Sequence, residues 1–206
     1  MHDDNEDMAG PEYQSLDSGE ASPYRRARSD AIARLARREH SRRELYDYLK
    51  GRDYLKPASV ATEIADDGEE TPELDVELLI DEVLERMAEE GLQSDARFAA
   101  SFLRTRVLRG QGPRRIQQEL RQRGVDNDTL NAVMREACDP APDVFGHVDV
   151  VDFFELASET LARRFSSAGE GQKERARRER FLLQRGFDYE QLRYAMSSAW
   201  SDEGEE

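Results

Sequence analysis

The sequence predicts an all-helical protein, elongated rather than spherical, in which nine helices group as three sets of three. Three observations carry that expectation. Apolar residues recur at three- and four-residue spacing through almost every stretch able to order, and no convincing strand appears. Helix punctuation is dense, with Ser, Asp, Gly and Pro standing where helix ends require them. Two junctions repeat: LRQRGVDNDTLNAVM over residues 120–134 and LLQRGFDYEQLRYAM over 182–196. In each, Gly is followed by a large apolar residue, then Asp, with Leu six and Met ten positions after the Gly. Such a junction closes one helix on a left-handed glycine, folds an apolar residue back onto it and caps the next helix with Asp. A set of three short helices holds too small a core by itself, so neighbouring sets should stack. Of the 206 residues, 37% are hydrophobic and 36% charged, a balance suited to a shape with much surface.

Taken in order, residues 1–23 are acidic and poor in large apolar groups, so they are expected to form a disordered tail. The first set spans 24–92. A helix over Arg28 to His40 places Ile32, Leu35 and Ala36 on one face. Ser41-Arg-Arg-Glu44 is a capping-box pattern that starts a second helix, with Leu45, Tyr48 and Leu49 on its buried side, fading near Gly51. An acidic insertion over 53–71 reads as an exposed loop. Pro72 starts a third helix, whose Val76, Leu79, Ile80, Val83, Leu84 and Met87 follow helical period before Gly91 closes it.

The second set spans 93–139. Ser94 or Asp95 caps a helix to about Arg109, carrying Phe98, Ala99 and Phe102 inward. Gly110-Gln-Gly112 interrupts it and Pro113 restarts a helix over Arg114 to Arg123, with Ile116 and Leu120 inward, closed by Gly124. Asp126 caps the next, with Leu130, Val133, Met134 and Ala137 on one face. Residues 140–150 read as a linker. The third set, 151–201, has a helix through Phe153 or Phe154, Ala157, Leu161 and Phe165. A second runs from Glu170 to Arg185, and a last carries Leu192, Ala195, Met196 and Ala199. Residues 202–206 form a short acidic tail.

Charge is distributed in blocks. The chain totals −15, yet Arg97 to Arg123 holds eight arginines against one acid, Glu119. Tyr24 to Arg52 carries +6 and Arg163 to Arg185 carries +5, so the remainder sums to −33. Basic surfaces that meet a polyanion, with acidic segments limiting non-specific adhesion, account for that alternation.

Several classes are disfavoured. No apolar run approaches the roughly 20 residues that span a bilayer, and the N-terminus lacks a secretory pattern, so a cytoplasmic location is expected. The single Cys138 has no neighbouring ligand set and reads as a structural thiol. His2, His40 and His147 lie far apart, and there is no Gly-rich phosphate loop with its Lys. Catalysis, a metal and a cofactor are therefore not expected.

Four motifs carry a family resemblance: RREHSRREL over 37–45, GLQSDARFA over 91–99, GQGPRRIQQEL over 110–120 and RFLLQRGF over 180–187. Across about Arg28 to Trp200 the chain resembles the RecX family, bacterial modulators of the RecA recombinase. The resemblance implies an elongated curved array of three tandem three-helix repeats without enzymatic activity. It implies binding to RecA and to the RecA–single-stranded DNA filament, in the filament's groove. Filament growth, ATP hydrolysis, strand exchange and the coprotease role would be slowed. A monomer is expected to do this. Candidate contacts to RecA or DNA are Arg104, Arg106, Arg109, Arg114, Arg115, Arg121 and Arg123, followed by Arg163, Arg164, Arg177 and Arg178. The alternative is a direct nucleic-acid-binding module, since short arginine-rich helices joined by glycine turns also describe helix-turn-helix domains.

Overall fold

The computed structural model describes residues 22–56, 75–139, 150–167 and 169–200. Residues 1–21 and 202–206 of the expected tails, 140–149 of the expected linker and 57–71 of the acidic insertion lie outside the described residues, while Pro23, expected to close the tail, begins a helix. Among the described residues every regular element is helical. They divide into two compact units that part between Gln93 and Ser94.

The first unit holds α1 (Pro23–Leu35), α2 (Arg42–Lys50) and α3 (Val76–Glu89). Helix α1 starts and ends five residues before the expected Arg28 to His40, because Pro23 takes the first-turn position where its missing N–H is harmless. Its buried face is Ala27 and Ala31, both fully buried, whereas Ile32 is 38% exposed. Small alanines let α1 lie close to its neighbours, and the apolar period read from Ile32 was one face away. Ser41 caps α2 as expected, accepting from the Glu44 N–H at 3.1 Å.

The insertion begins differently from the expected open loop. Asp53–Leu55 forms a single 3₁₀ turn, and Leu55 is only 2% exposed. Helix α3 begins at Val76 after Asp75, whose carboxylate accepts from the Glu77 and Leu78 N–H groups; Pro72, the expected start, lies outside the described residues. Leu45, Leu49, Leu79, Ile80, Val83, Leu84 and Met87 fill the core of this unit. Burying side chains of that kind contributes about 1.5–3 kcal/mol each relative to exposure.

The second unit holds α4 (Asp95–Leu108), α5 (Pro113–Gln122), α6 (Asn127–Cys138), α7 (Phe153–Arg164), α8 (Gly171–Arg185) and α9 (Tyr189–Ser198). Ser94, not Asp95, caps α4. The duplicated junction recurs in three dimensions. Gly124 and Gly186 have φ of 82° and 89°, and the N–H groups of Val125 and Phe187 reach back to Leu120 O and Leu182 O, each at 3.2 Å. Val125 and Phe187 are buried, and Asp126 and Asp188 cap the helices that follow. Both triplets share one continuous core, with Leu120, Leu130, Leu161, Leu182 and Phe187 at its centre. Cys138 ends α6 and is exposed, so the expectation of a structural thiol gives way to a surface one.

Candidate partner-binding surface

The second unit brings two of the three basic blocks together through the ends of α4, α5 and α8. Helix α8 ends on the carbonyls of Arg185 and Gly186, which accept from the Gly112 N–H at 2.8 Å and the Arg114 N–H at 3.0 Å. The electronegative end of one helix thereby meets the electropositive start of another, and groups otherwise left unpaired are satisfied. Two arginines brace the joint. Arg115 Nη1 donates to Gln184 O at 3.2 Å, and Arg185 Nη1 donates to Arg109 O at 2.7 Å. Arg185 was not among the expected contact residues. Its partners lie more than seventy positions away, a separation no local pattern exposes.

Glu119, the one acid of the central block, organises three arginines around itself. Arg106 Nη2 meets Glu119 Oε2 at 2.8 Å, Arg115 Nε meets Oε1 at 2.9 Å, and Arg123 Nη1 donates to the Glu119 carbonyl at 3.0 Å. Arg106 and Arg123 also lie over the Phe102 ring, 4.4 and 4.7 Å from its centroid. Burial pushes the Glu119 carboxyl up, but Arg115 and Arg106 outweigh it and hold the group below the usual carboxylate range. Arg106 and Arg123 are half-buried, and the fold itself engages both through Phe102 and Glu119.

Arg178 is more enclosed still, at 4% exposed. It donates to Glu174 Oε2 at 2.7 Å and to Ser167 O at 3.0 Å, with its guanidinium 4.7 Å from the Phe165 centroid. An arginine this enclosed holds the start of α8 to the end of α7. Trp200 fastens the same corner by donating Nε1–H to Phe165 O at 3.1 Å.

The remaining candidates face solvent. Arg104, Arg109 and Arg114 are exposed and form no salt bridge among the described residues. Arg121 is exposed and donates to Asn127 Oδ1 at 3.0 Å. Arg163 pairs with Glu159 at 3.3 Å and Arg177 with Glu174 at 4.0 Å, both as exposed contacts one turn apart, the kind worth little to stability. Arg164 is exposed beside the Phe165 ring. Among the described residues no His, Cys, Asp and Glu cluster could hold a metal ion, and no helix is long and apolar enough to cross a membrane.

Tandem three-helix modules that share a core and display guanidinium groups on their outer turns define an arginine-rich helical-repeat protein. The sequence comparisons give the family. Residues 94–134 match the profile "RecX, second three-helix domain" and residues 151–196 match "RecX, third three-helix domain". Regulatory protein RecX of Chromohalobacter salexigens is 41% identical over 187 residues, covering 91% of this chain and 99% of the relative. Regulatory protein RecX of Halorhodospira halophila is 38% identical over 177 residues, covering 85% and 89%. The chain belongs to the RecX family. The crystal structure of RecX from Lactobacillus salivarius aligns with a TM-score of 0.58 at 19% identity, covering 87% of this chain and 97% of that one, which shows a common fold.

Proposed function

We propose that this chain binds RecA and the RecA–single-stranded DNA filament in the cytoplasm and restrains filament growth, ATP hydrolysis, strand exchange and coprotease activity. It acts as a monomer and performs no chemistry of its own. The three segments 24–92, 93–139 and 151–201 are its modules of contact. The observation that carries this reading is the set of exposed arginines left after the fold has used its own, Arg104, Arg109, Arg114, Arg121, Arg163, Arg164 and Arg177, in a member of a family of regulatory proteins. Guanidinium forks pair with carboxylates and phosphates alike, and a nucleoprotein filament presents both.

RecA filament growth on single-stranded DNA, followed by light scattering with and without the protein, tests the proposal. Slower growth that recovers as salt is raised is expected, because exposed ion pairs weaken within a shorter screening length. Growth at the same rate with and without the protein contradicts it.

A further inference from the structure

A lone exposed leucine is ordinary on a protein surface, but Leu108 is 75% exposed, the most of any large hydrophobic residue among those described. It stands in the last turn of α4. The inward stripe of that helix passes through Leu103, which is buried, and Val107, which packs half-buried against the core, so Leu108 lies one residue outside it. The fold gains almost nothing from an apolar side chain at that place.

The backbone that carries Leu108 is nonetheless held firmly. The Gly110 N–H donates to Val107 O at 2.8 Å and the Gln111 N–H to Arg106 O at 3.0 Å. The Arg109 and Gly110 carbonyls accept from Arg185 Nη1 at 2.7 and 3.4 Å. An apolar group presented on so braced a turn loses little freedom when a partner covers it.

Beside the leucine a hollow of about 200 Å³ opens between α4, α7 and α8, with Phe181 in its wall and no acidic residue in its lining. Arg109 and Arg164 line it too, and Arg104 stands one turn before Leu108 on α4. All three arginines are exposed and form no salt bridge among the described residues. An apolar knob and an aromatic-walled hollow, set in arginine without acids, have the composition that marks the centre of protein interfaces.

We propose that Leu108 is the apolar anchor of a protein-docking surface, seated in a carboxylate-rimmed apolar socket on RecA, with Arg104 and Arg109 meeting the rim. The partner's identity rests on the proposed function. Single-stranded nucleic acid is the poorer match, because an aliphatic side chain offers no flat face to a base and gains nothing from a phosphate. The ring in the hollow is already engaged. Arg185 lies 5.0 Å from the Phe181 centroid, and Phe165 stands perpendicular to that ring at 5.5 Å. A protein supplies what the patch itself lacks, carboxylates for the guanidinium forks and apolar surface for the leucine.

The test is anisotropy of the full chain labelled at the exposed Cys138, for wild type, Leu108→Gln and Leu108→Met. Each is titrated with RecA filaments on single-stranded DNA and, separately, with bare oligo(dT). Glutamine keeps helix propensity and methionine keeps apolar volume, so all three should melt alike. Leu108→Gln is expected to bind filaments about tenfold more weakly, the scale of one leucine left unburied. Leu108→Met should bind them as wild type does, and oligo(dT) should not distinguish the three. Leu108→Gln that binds filaments like wild type overturns the anchor. So does a parallel loss of oligo(dT) affinity, which makes nucleic acid the occupant. A wild-type dimer in sedimentation that Leu108→Gln dissociates also overturns it, since the occupant is then a second copy. Wild-type protein that fails to bind filaments removes the proposed function and this anchor with it, whereas filament binding left intact by Leu108→Gln removes the anchor alone.

Discussion

Gly112 and Gly186 approach so closely that a Cβ on Gly112 would fall 2.4 Å from the carbonyl carbon of Gly186 and from the Phe187 nitrogen. The contact joins the start of α5 to the end of α8, and backbone atoms on both sides leave nothing flexible to give way. Gly112→Ala is therefore expected to destabilise the second unit by about 3 kcal/mol, at the upper end for overpacking. Gly91→Ala supplies the comparison. That glycine has φ of 71° but open space around it, so only the backbone penalty of about 1 kcal/mol applies. Urea unfolding of both variants measures the difference.

Glu119 predicts a response to acid. Its carboxyl lies below the usual range because Arg115 and Arg106 outweigh its burial. A depressed carboxyl contributes stability that is complete above the unfolded pKa of about 4.3 and is lost as pH falls through the lower folded value. Glu119→Gln should lower stability at neutral pH by about 2 kcal/mol, below the range for breaking a fully buried pair, and should flatten the acid limb. Trp200 fluorescence during urea unfolding at pH 7 and in mild acid gives both numbers.

His40 gives the first unit a separate dependence in milder acid. The side chain is almost fully buried with Nδ1 2.9 Å from Glu44, and burial together with Arg38 pushes the imidazole down against the pull of Glu44. Its folded pKa lies below the unfolded value of about 6.5. Stability is therefore full above that pH and falls as the unfolded chain takes up the proton first. Amide exchange at Leu45 and Leu49 should quicken as pH drops below about 6.5 once corrected for intrinsic rates, and His40→Asn should remove that component.

Arg178 and Arg104 should separate stability from binding. Arg178→Gln removes an enclosed guanidinium, its pair with the exposed Glu174 and the donor to the Ser167 carbonyl, at an expected cost of about 2 kcal/mol. Arg104→Gln, on the exposed face of α4, should change stability by less than about 0.5 kcal/mol, as surface substitutions do. Thermal unfolding of the two variants side by side checks the sorting.

Much of the fold was legible in sequence because its determinants are local. Ser41, Asp126 and Asp188 cap the helices that their positions announce, and the duplicated Gly-apolar-Asp junction forms twice with the same bonds. The start of α1 was missed because Ala27 and Ala31 carry its buried face, and alanine barely registers in an apolar period. Leu55 was hidden in a polar stretch whose composition signalled a loop. The candidate surface was legible only as a quantity of charge. Which arginines stay outside depends on Glu119, Phe102 and Phe165, and the pairings of Arg115 with Gln184 and Arg185 with Arg109 span distances along the chain that no spacing rule reveals.

The central claim is that exposed arginines of the second three-helix segment engage RecA filaments. It is tested most directly by RecA's single-stranded-DNA-dependent ATP hydrolysis, titrated with wild-type protein and with Arg104→Glu/Arg114→Glu. Both positions are exposed and outside the ion pairs of the fold, so the variant should melt as the wild type does. Hydrolysis that falls with wild-type protein and is unaffected by the variant is the predicted result. Equal inhibition by both proteins, or none by either, contradicts it.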